Sequence, residues 1–240
     1  MKYQLQSHHK KILADTITPV SVYLKIRDRF PNSILLESSD YHANDNSFSY
    51  ICCNPIASIK VENEIVMQQF PDGTTNEIQI EPQTDVVGII HDFSQRFDAG
   101  KSDFKFIDNG LFGYMAYDAV RYYEDLKLSK KEDTVQIPDI YYAVYQNIIA
   151  INHFKNEAYI FANCFESENN ITAIEQILNV KNFASYNFSL DGSATSNLKD
   201  EQYKEQVELA KKHCQRGDVF QLVLSRRFSQ GFRGDEFNVY

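Results

Sequence analysis

Apolar positions along this chain recur at two spacings, and those spacings predict its elements. Short apolar or alternating runs read as strands over Ser33–Ser38, Phe48–Cys53, Ala57–Glu62, Glu64–Phe70, Thr74–Ile80, Ile140–Tyr145, Asn147–Phe154 and Ala158–Phe165. Turn chemistry punctuates them at Asn54-Pro55, Asn63, Pro71-Asp72-Gly73 and Lys155-Asn156. Spacings of three and four predict helices instead. The first opens at Thr18-Pro19, with Thr18 as N-cap and Pro19 at N1, and faces Tyr23, Ile26 and Phe30 to the core. The second covers Asp85–Phe97, with Val86, Ile89, Ile90, Phe93 and Phe97 on its apolar side, and the third Asn170–Val180. The fourth runs from Lys199 to Cys214, with Tyr203, Val207, Ala210 and Cys214 on one face.

That last helix has clear ends. Asn197 is the expected N-cap, Asp200 and Glu201 set negative charge in the first turn, and Lys211, Lys212, His213 and Arg216 set positive charge at the other end. Gly217 is the expected left-handed stop. Val219–Leu224 then reads as a core strand in need of cover on both faces, interrupted by Gln221 and ending in Ser225-Arg226-Arg227. Residues 182–197, rich in Ser and Asn, read as a linker. Two domains follow, 1–181 and the start of a second at 198–240. Strands arriving as meanders with few helices between them predict an α+β fold of antiparallel β-sheets with flanking helices, and argue against a doubly wound parallel sheet.

At 240 residues the chain is long enough for one large or two small domains, and 43% hydrophobic residues supply a core. A net charge of −9 speaks against nucleic acid and anionic membranes as partners. Met1–Leu13 is polar, unlike a signal peptide, and there is no apolar run of about 18 residues that could cross a membrane. Four cysteines without C-x-x-C spacing, two of them adjacent at Cys52-Cys53, read as reduced thiols of a cytoplasmic protein. Fifteen Tyr and seventeen Phe with no Trp suggest an aromatic-rich β core.

Metal-ligand spacing, a Ser/His/Asp or Cys/His arrangement and a glycine-rich phosphate loop are all missing from the sequence, so the reading assigns no catalytic residue and no metal ligand. In the stretch Gly110–Glu124, GLFGYMAYDAVRYYE, Gly110 and Gly113 are expected to allow close strand approach, and Asp118 to pair with Arg121 one helical turn on. By its residues alone, Leu35-Leu36-Glu37-Ser38 is a buried strand with a polar end.

Three motifs in order, Leu35–Ser38 (LLES), Gly110–Glu124 and Gly217–Ser229 (GDVFQLVLSRRFS), carry a resemblance. The last looks like the opening of the chorismate-binding domain of anthranilate synthase component I and its relative, aminodeoxychorismate synthase component I, within the chorismate-utilising enzymes. The resemblance implies two sheets packed as a sandwich, in a chain truncated before the catalytic half. It implies a lyase of tryptophan biosynthesis that makes anthranilate and pyruvate from chorismate and ammonia. The ammonia would come from glutamine through a separate glutamine amidotransferase subunit, component II. Mg²⁺ would be held by glutamates of the missing half, so this fragment alone would be inactive. LLES resembles the element that binds the feedback inhibitor L-tryptophan, which makes Leu36, Glu37 and Ser38 the effector-binding candidates. A Ser hydroxyl, a carboxylate and strand backbone groups can together hold an ammonium and an indole N–H. Arg226 and Arg227 are strand-end residues or contacts for an acidic substrate. Two alternatives stay open: the folate-branch enzyme, and a stand-alone, non-catalytic amino-acid-binding domain. A homo-oligomer is a further expectation, with a second copy covering the Lys199–Ser229 unit.

Overall fold

The computed structural model describes residues 2–37, 47–126, 137–181, 184 and 186–240. The chain divides into two compact units, Met1–Phe183 and Ala184–Tyr240.

The first unit is organised by two long strands. In chain order it contains β1 (Tyr3–Gln4), β2 (Gln6–Leu13), α1 (Pro19–Ile26), β3 (Ile34–Leu36), β4 (Phe48–Glu62), β5 (Ile65–Gln69), β6 (Thr75–Gln79) and α2 (Val86–Ser94). It continues with β7 (Phe97–Asp98), β8 (Phe112–Met115), a 3-10 helix at Tyr117–Tyr122, β9 (Ile140–Asn152), β10 (Glu157–Cys164) and α3 (Ile171–Asn179). β4 and β9 pair antiparallel from Phe48↔Asn152 to Val61↔Ile140. At one end β3 joins β4, while β10 and then β2 join β9; at the other, β5 and then β6 extend from β4, and β8 joins β9. Of these pairings every one is antiparallel; the short β1–β7 pair is parallel. The expected α+β architecture of antiparallel sheets with flanking helices is therefore present, its two halves joined through β4 and β9.

Burial explains the apolar runs. Ile51 and Cys53 of β4, Ile149 and Ile151 of β9, and Ala158 and Ile160 of β10 pack with Val22 and Ile26 of α1 and Ile174 and Leu178 of α3. Cys52, Ile148, Ala150 and Phe161, the alternate positions, pack with Phe112 and with Phe104 and Phe106 of the loop before β8. Adjacent Cys52 and Cys53 thus serve different clusters, as strand alternation requires. Toward the other end, Ile59, Val61, Val66 and Ile140 pack with Val86 and Phe93 of α2.

Local signals account for the helix starts. Thr18 accepts a hydrogen bond from Ser21 N–H at 3.1 Å, Ser21 returns one from Thr18 N–H at 3.2 Å, and Pro19 stands at N1. Asp85 caps α2 through Gly88 N–H at 2.8 Å.

Several expectations need correction. Phe48–Cys53 and Ala57–Glu62 are one strand: Pro55, which has no N–H to donate, lies beside a register shift between Pro55 and Ala57, where a bulge tolerates it. Ile140–Tyr145 and Asn147–Phe154 likewise merge into β9. The polar N-terminal segment contains β2, whose exposed side chains gave no periodic signal; its full pairing with β10 holds it in place.

The second unit consists of β11 (Phe188–Ser196), α4 (Asp200–Arg216), β12 (Phe228–Gly234) and a 3-10 helix at Glu236–Val239. β11 and β12 pair antiparallel, from Phe188↔Gly234 to Ser196↔Phe228. Most of the segment expected as a linker is thus a strand, because ladder hydrogen bonds to β12 stabilise a sequence with little apolar content. Gly217 takes the left-handed conformation at the end of α4, with φ of 77°, as expected. The N-cap is Lys199 rather than Asn197, whose side-chain oxygen accepts from Arg227 N–H at 2.9 Å instead. Val219–Leu224 is not a strand: among the described residues nothing pairs with it, Phe220 is fully exposed, and Gln221 is exposed rather than buried.

Candidate functional site

β3 delivers Leu36 to the edge of β4. Leu35 lies opposite Ile51 and joins the helix-covered core, while Leu36 lies opposite Tyr50 and is 37% exposed. Glu37 follows the strand and is half-buried; Ser38 lies outside the described residues. Among the described residues β3 pairs only with β4. Tyr50 is the residue that sequence reading missed here. Its ring stands 5.8 Å from Phe112 and 6.1 Å from Phe48, and burial pushes its phenol above the ordinary value. Only the β3–β4 register reveals that Tyr50 is the cross-strand neighbour of Leu36. The structure therefore places Leu36 and Glu37 together at one strand end, beside an aromatic wall.

The segment Gly110–Glu124 does two jobs. Gly113 lies in β8 directly against β9, where a Cβ would come within 1.9 Å of Tyr141 O, so close approach is required there. Gly110 is different: it has open space but a φ of 131°, so it is a backbone requirement rather than a packing one. Asp118 does not pair with Arg121. The Arg121 guanidinium instead bonds Asp139, whose carboxylate also accepts from Tyr122 OH at 2.7 Å. Asp139 immediately precedes β9, and a carboxylate that meets both groups outcompetes one presented by a single helical turn. Burial pushes the Tyr122 phenol up to about 12, Arg121 opposing and Asp139 adding to the shift.

In the second unit, Arg226 is occupied. Its Nη1 lies 2.6 Å from Asp200, its Nε donates to Ser196 Oγ at 2.7 Å, and its guanidinium sits 4.6 Å from the Phe228 ring. A guanidinium clamped by a carboxylate and a ring holds the start of α4 to the β11–β12 ladder. Among the described residues no three His, Cys, Asp or Glu side chains group to hold a metal ion.

Comparison with known proteins agrees with the motifs. The profile of the chorismate binding enzymes matches residues 32–240. Anthranilate synthase component 1 of Lactococcus lactis is 27% identical over 254 residues, covering 96% of this chain and 50% of that protein. The chloroplastic anthranilate synthase alpha subunit 1 of Arabidopsis thaliana is 27% identical over 267 residues, covering 97% of this chain and 44% of its own. Among solved structures, anthranilate synthase component I from Streptococcus pneumoniae superposes with a TM-score of 0.58 at 25% identity, over 95% of this chain and 51% of that one. The chain thus spans about half the length of the relatives it matches. With a family profile that covers most of its residues, motifs in the same order and an antiparallel α+β fold shared with a solved relative, the chain belongs to the chorismate binding enzyme family.

Proposed function

We propose that this chain is the N-terminal part of an anthranilate synthase component I. That protein would be a cytoplasmic lyase of tryptophan biosynthesis that makes anthranilate and pyruvate from chorismate and ammonia. The observation that carries the reading is the match to anthranilate synthase component 1 along 96% of the chain. In this reading the first unit is regulatory, with Leu36, Glu37 and Ser38 contributing to an L-tryptophan site. The second opens the chorismate-binding region. Ammonia comes from a glutamine amidotransferase partner, and Mg²⁺ is held by residues outside this chain. The 240-residue chain alone makes no anthranilate.

The test is to purify the native protein from its source cells, determine its mass and supply chorismate, ammonia and Mg²⁺. The expected result is a mass well above 27.8 kDa and formation of anthranilate. Aminodeoxychorismate as the product would move the assignment to the folate branch. A native mass of 27.8 kDa without turnover would leave an amino-acid-binding domain. For the regulatory site, Glu37→Gln and Ser38→Ala should each raise the L-tryptophan concentration needed for half-inhibition by about tenfold, given the usual worth of a charge-assisted hydrogen bond. Unchanged inhibition in both variants would remove these residues from the site.

A further inference from the structure

A cleft of about 380 Å³ in the first unit is not used by the proposed function and includes neither Leu36 nor Glu37. Its apolar wall is made by Phe48, Phe104, Phe106 and Tyr159. The rings are mutually packed, Phe48 on Phe106 at 4.6 Å and Phe106 on Tyr159 at 5.1 Å, so they form a preassembled surface.

The loop that brings Phe104 and Phe106 is tied down. Ser102 Oγ donates to Asp108 at 2.6 Å and accepts from Phe104 N–H at 3.1 Å, and Asn163 of β10 donates to Asp108 O at 3.2 Å. On the other side, Asn152 Oδ1 accepts from Lys155 N–H at 2.9 Å and fixes the turn between β9 and β10.

Two ammonium groups from these separate loops, Lys105 and Lys155, line the same cleft, and neither has an ion-pair partner among the described residues. Of the two carboxylates lining it, Glu157 is engaged by Lys11 at 2.5 Å and by Tyr159 OH at 3.0 Å, with Lys155 adding a longer-range attraction. Asp103 is the other, and among the described residues it has no ion pair. With Glu157 balanced by Lys11, the cleft holds two cations against one anion. In a chain of net charge −9 this is a local reversal of sign.

We propose that this cleft is a binding site for a singly charged, single-ring carboxylate, its ring on the Phe104–Phe106–Tyr159 surface and its carboxylate between Lys105 and Lys155. A pocket of this size, with an aromatic wall facing convergent polar and charged groups, suits a small ring compound that carries a charge. An aromatic ring gains from edge and offset contacts with such a wall, and a carboxylate can accept charge-assisted hydrogen bonds from ammonium groups. The site stands independently of the proposed reaction.

The test uses the full 240-residue chain and benzoate as probe, with binding followed by saturation-transfer NMR of the ring protons. Benzoate should bind in about the millimolar range, benzylamine should not, and Lys105→Gln together with Lys155→Gln should weaken benzoate at least about tenfold. Both lysines are exposed, so the double variant should keep the far-ultraviolet circular dichroism of the parent. Three results would each overturn the site: no benzoate transfer at tens of millimolar, equal binding of benzylamine, or undiminished binding by the double variant. Inorganic phosphate displacing benzoate at equal concentration would also overturn it, since the ring would then contribute nothing.

Discussion

Asn147 and Asn170 exchange hydrogen bonds through both ends of their amides. Asn147 Nδ2 donates to Asn170 Oδ1 at 2.6 Å, and Asn170 Nδ2 donates back to Asn147 Oδ1 at 3.0 Å. Asn54 Nδ2 adds a third bond to Asn147 Oδ1 at 2.7 Å. Asn147 is fully buried in mid-strand β9, so its amide must be satisfied inside the protein. Asn170 directly precedes α3, where such a residue would normally cap; the free helix N–H of Ile171 is taken by Asn169 instead, at 3.0 Å. Asn170→Ala should therefore cost ~1–3 kcal/mol by stranding the Asn147 amide rather than by uncapping a helix. Urea denaturation of the variant beside Asn169→Ala would check this. A cost confined to Asn169→Ala would contradict it.

Gly113→Ala tests the β8–β9 contact. With Tyr141 O 1.9 Å from the position of an added Cβ, the strands must separate, and the obstacle is backbone rather than a flexible side chain. A loss of about 2–4 kcal/mol is expected, in the range of severe overpacking. Thermal melting would show it as a lowered Tm.

Acid should weaken the fold through particular carboxylates. Bonds from the Thr74 hydroxyl and N–H hold Asp72 below the usual range, Gly100 N–H does so for Asp98, and Lys11 for Glu157. A depressed folded-state pKa contributes stability above the unfolded value, near 4, that is lost as pH falls through the folded one. Buried phenols act oppositely. Tyr122 and Tyr145 are raised by burial, so their contribution is present below about pH 10 and declines above it. Urea midpoints should be level between these limits and fall on both sides; a midpoint still rising below pH 4 would refute the carboxylate assignment.

Thiol reactivity should follow burial. Cys52, Cys53 and Cys164 are buried and Cys214 is exposed, all four free. Burial raises the Cys53 thiol to about 12 and the Cys52 thiol well above its ordinary value. A thiol reagent at pH 8 should label one equivalent rapidly, eliminated by Cys214→Ser, and the remaining three only on unfolding.

Sequence legibility divided along physical lines. Thr18-Pro19 and Gly217 act through their own backbone neighbours, so their roles could be read directly. β2 and β11 are held by ladder hydrogen bonds to partners distant in sequence, and neither carries an apolar rhythm. The reverse error occurred at Val219–Leu224, where an apolar run without a paired neighbour forms no strand. At the candidate site, Leu36 and Glu37 were visible as a motif. Tyr50 opposite Leu36 and Asp139 beside Arg121 needed the register and the tertiary contact to appear.

The passage of β4 and β9 through both halves of the sheet bears on how the first unit opens. Neither half can detach while this shared pair stays intact, and the helix-covered core and the α2-covered core both rest on it. Local openings should begin at the margins, in β6 and β2, and stop there. Amide hydrogens at Ile51, Ile59, Ile140 and Ile149 should then exchange together, at the rate of global unfolding, making the unit a single cooperative block.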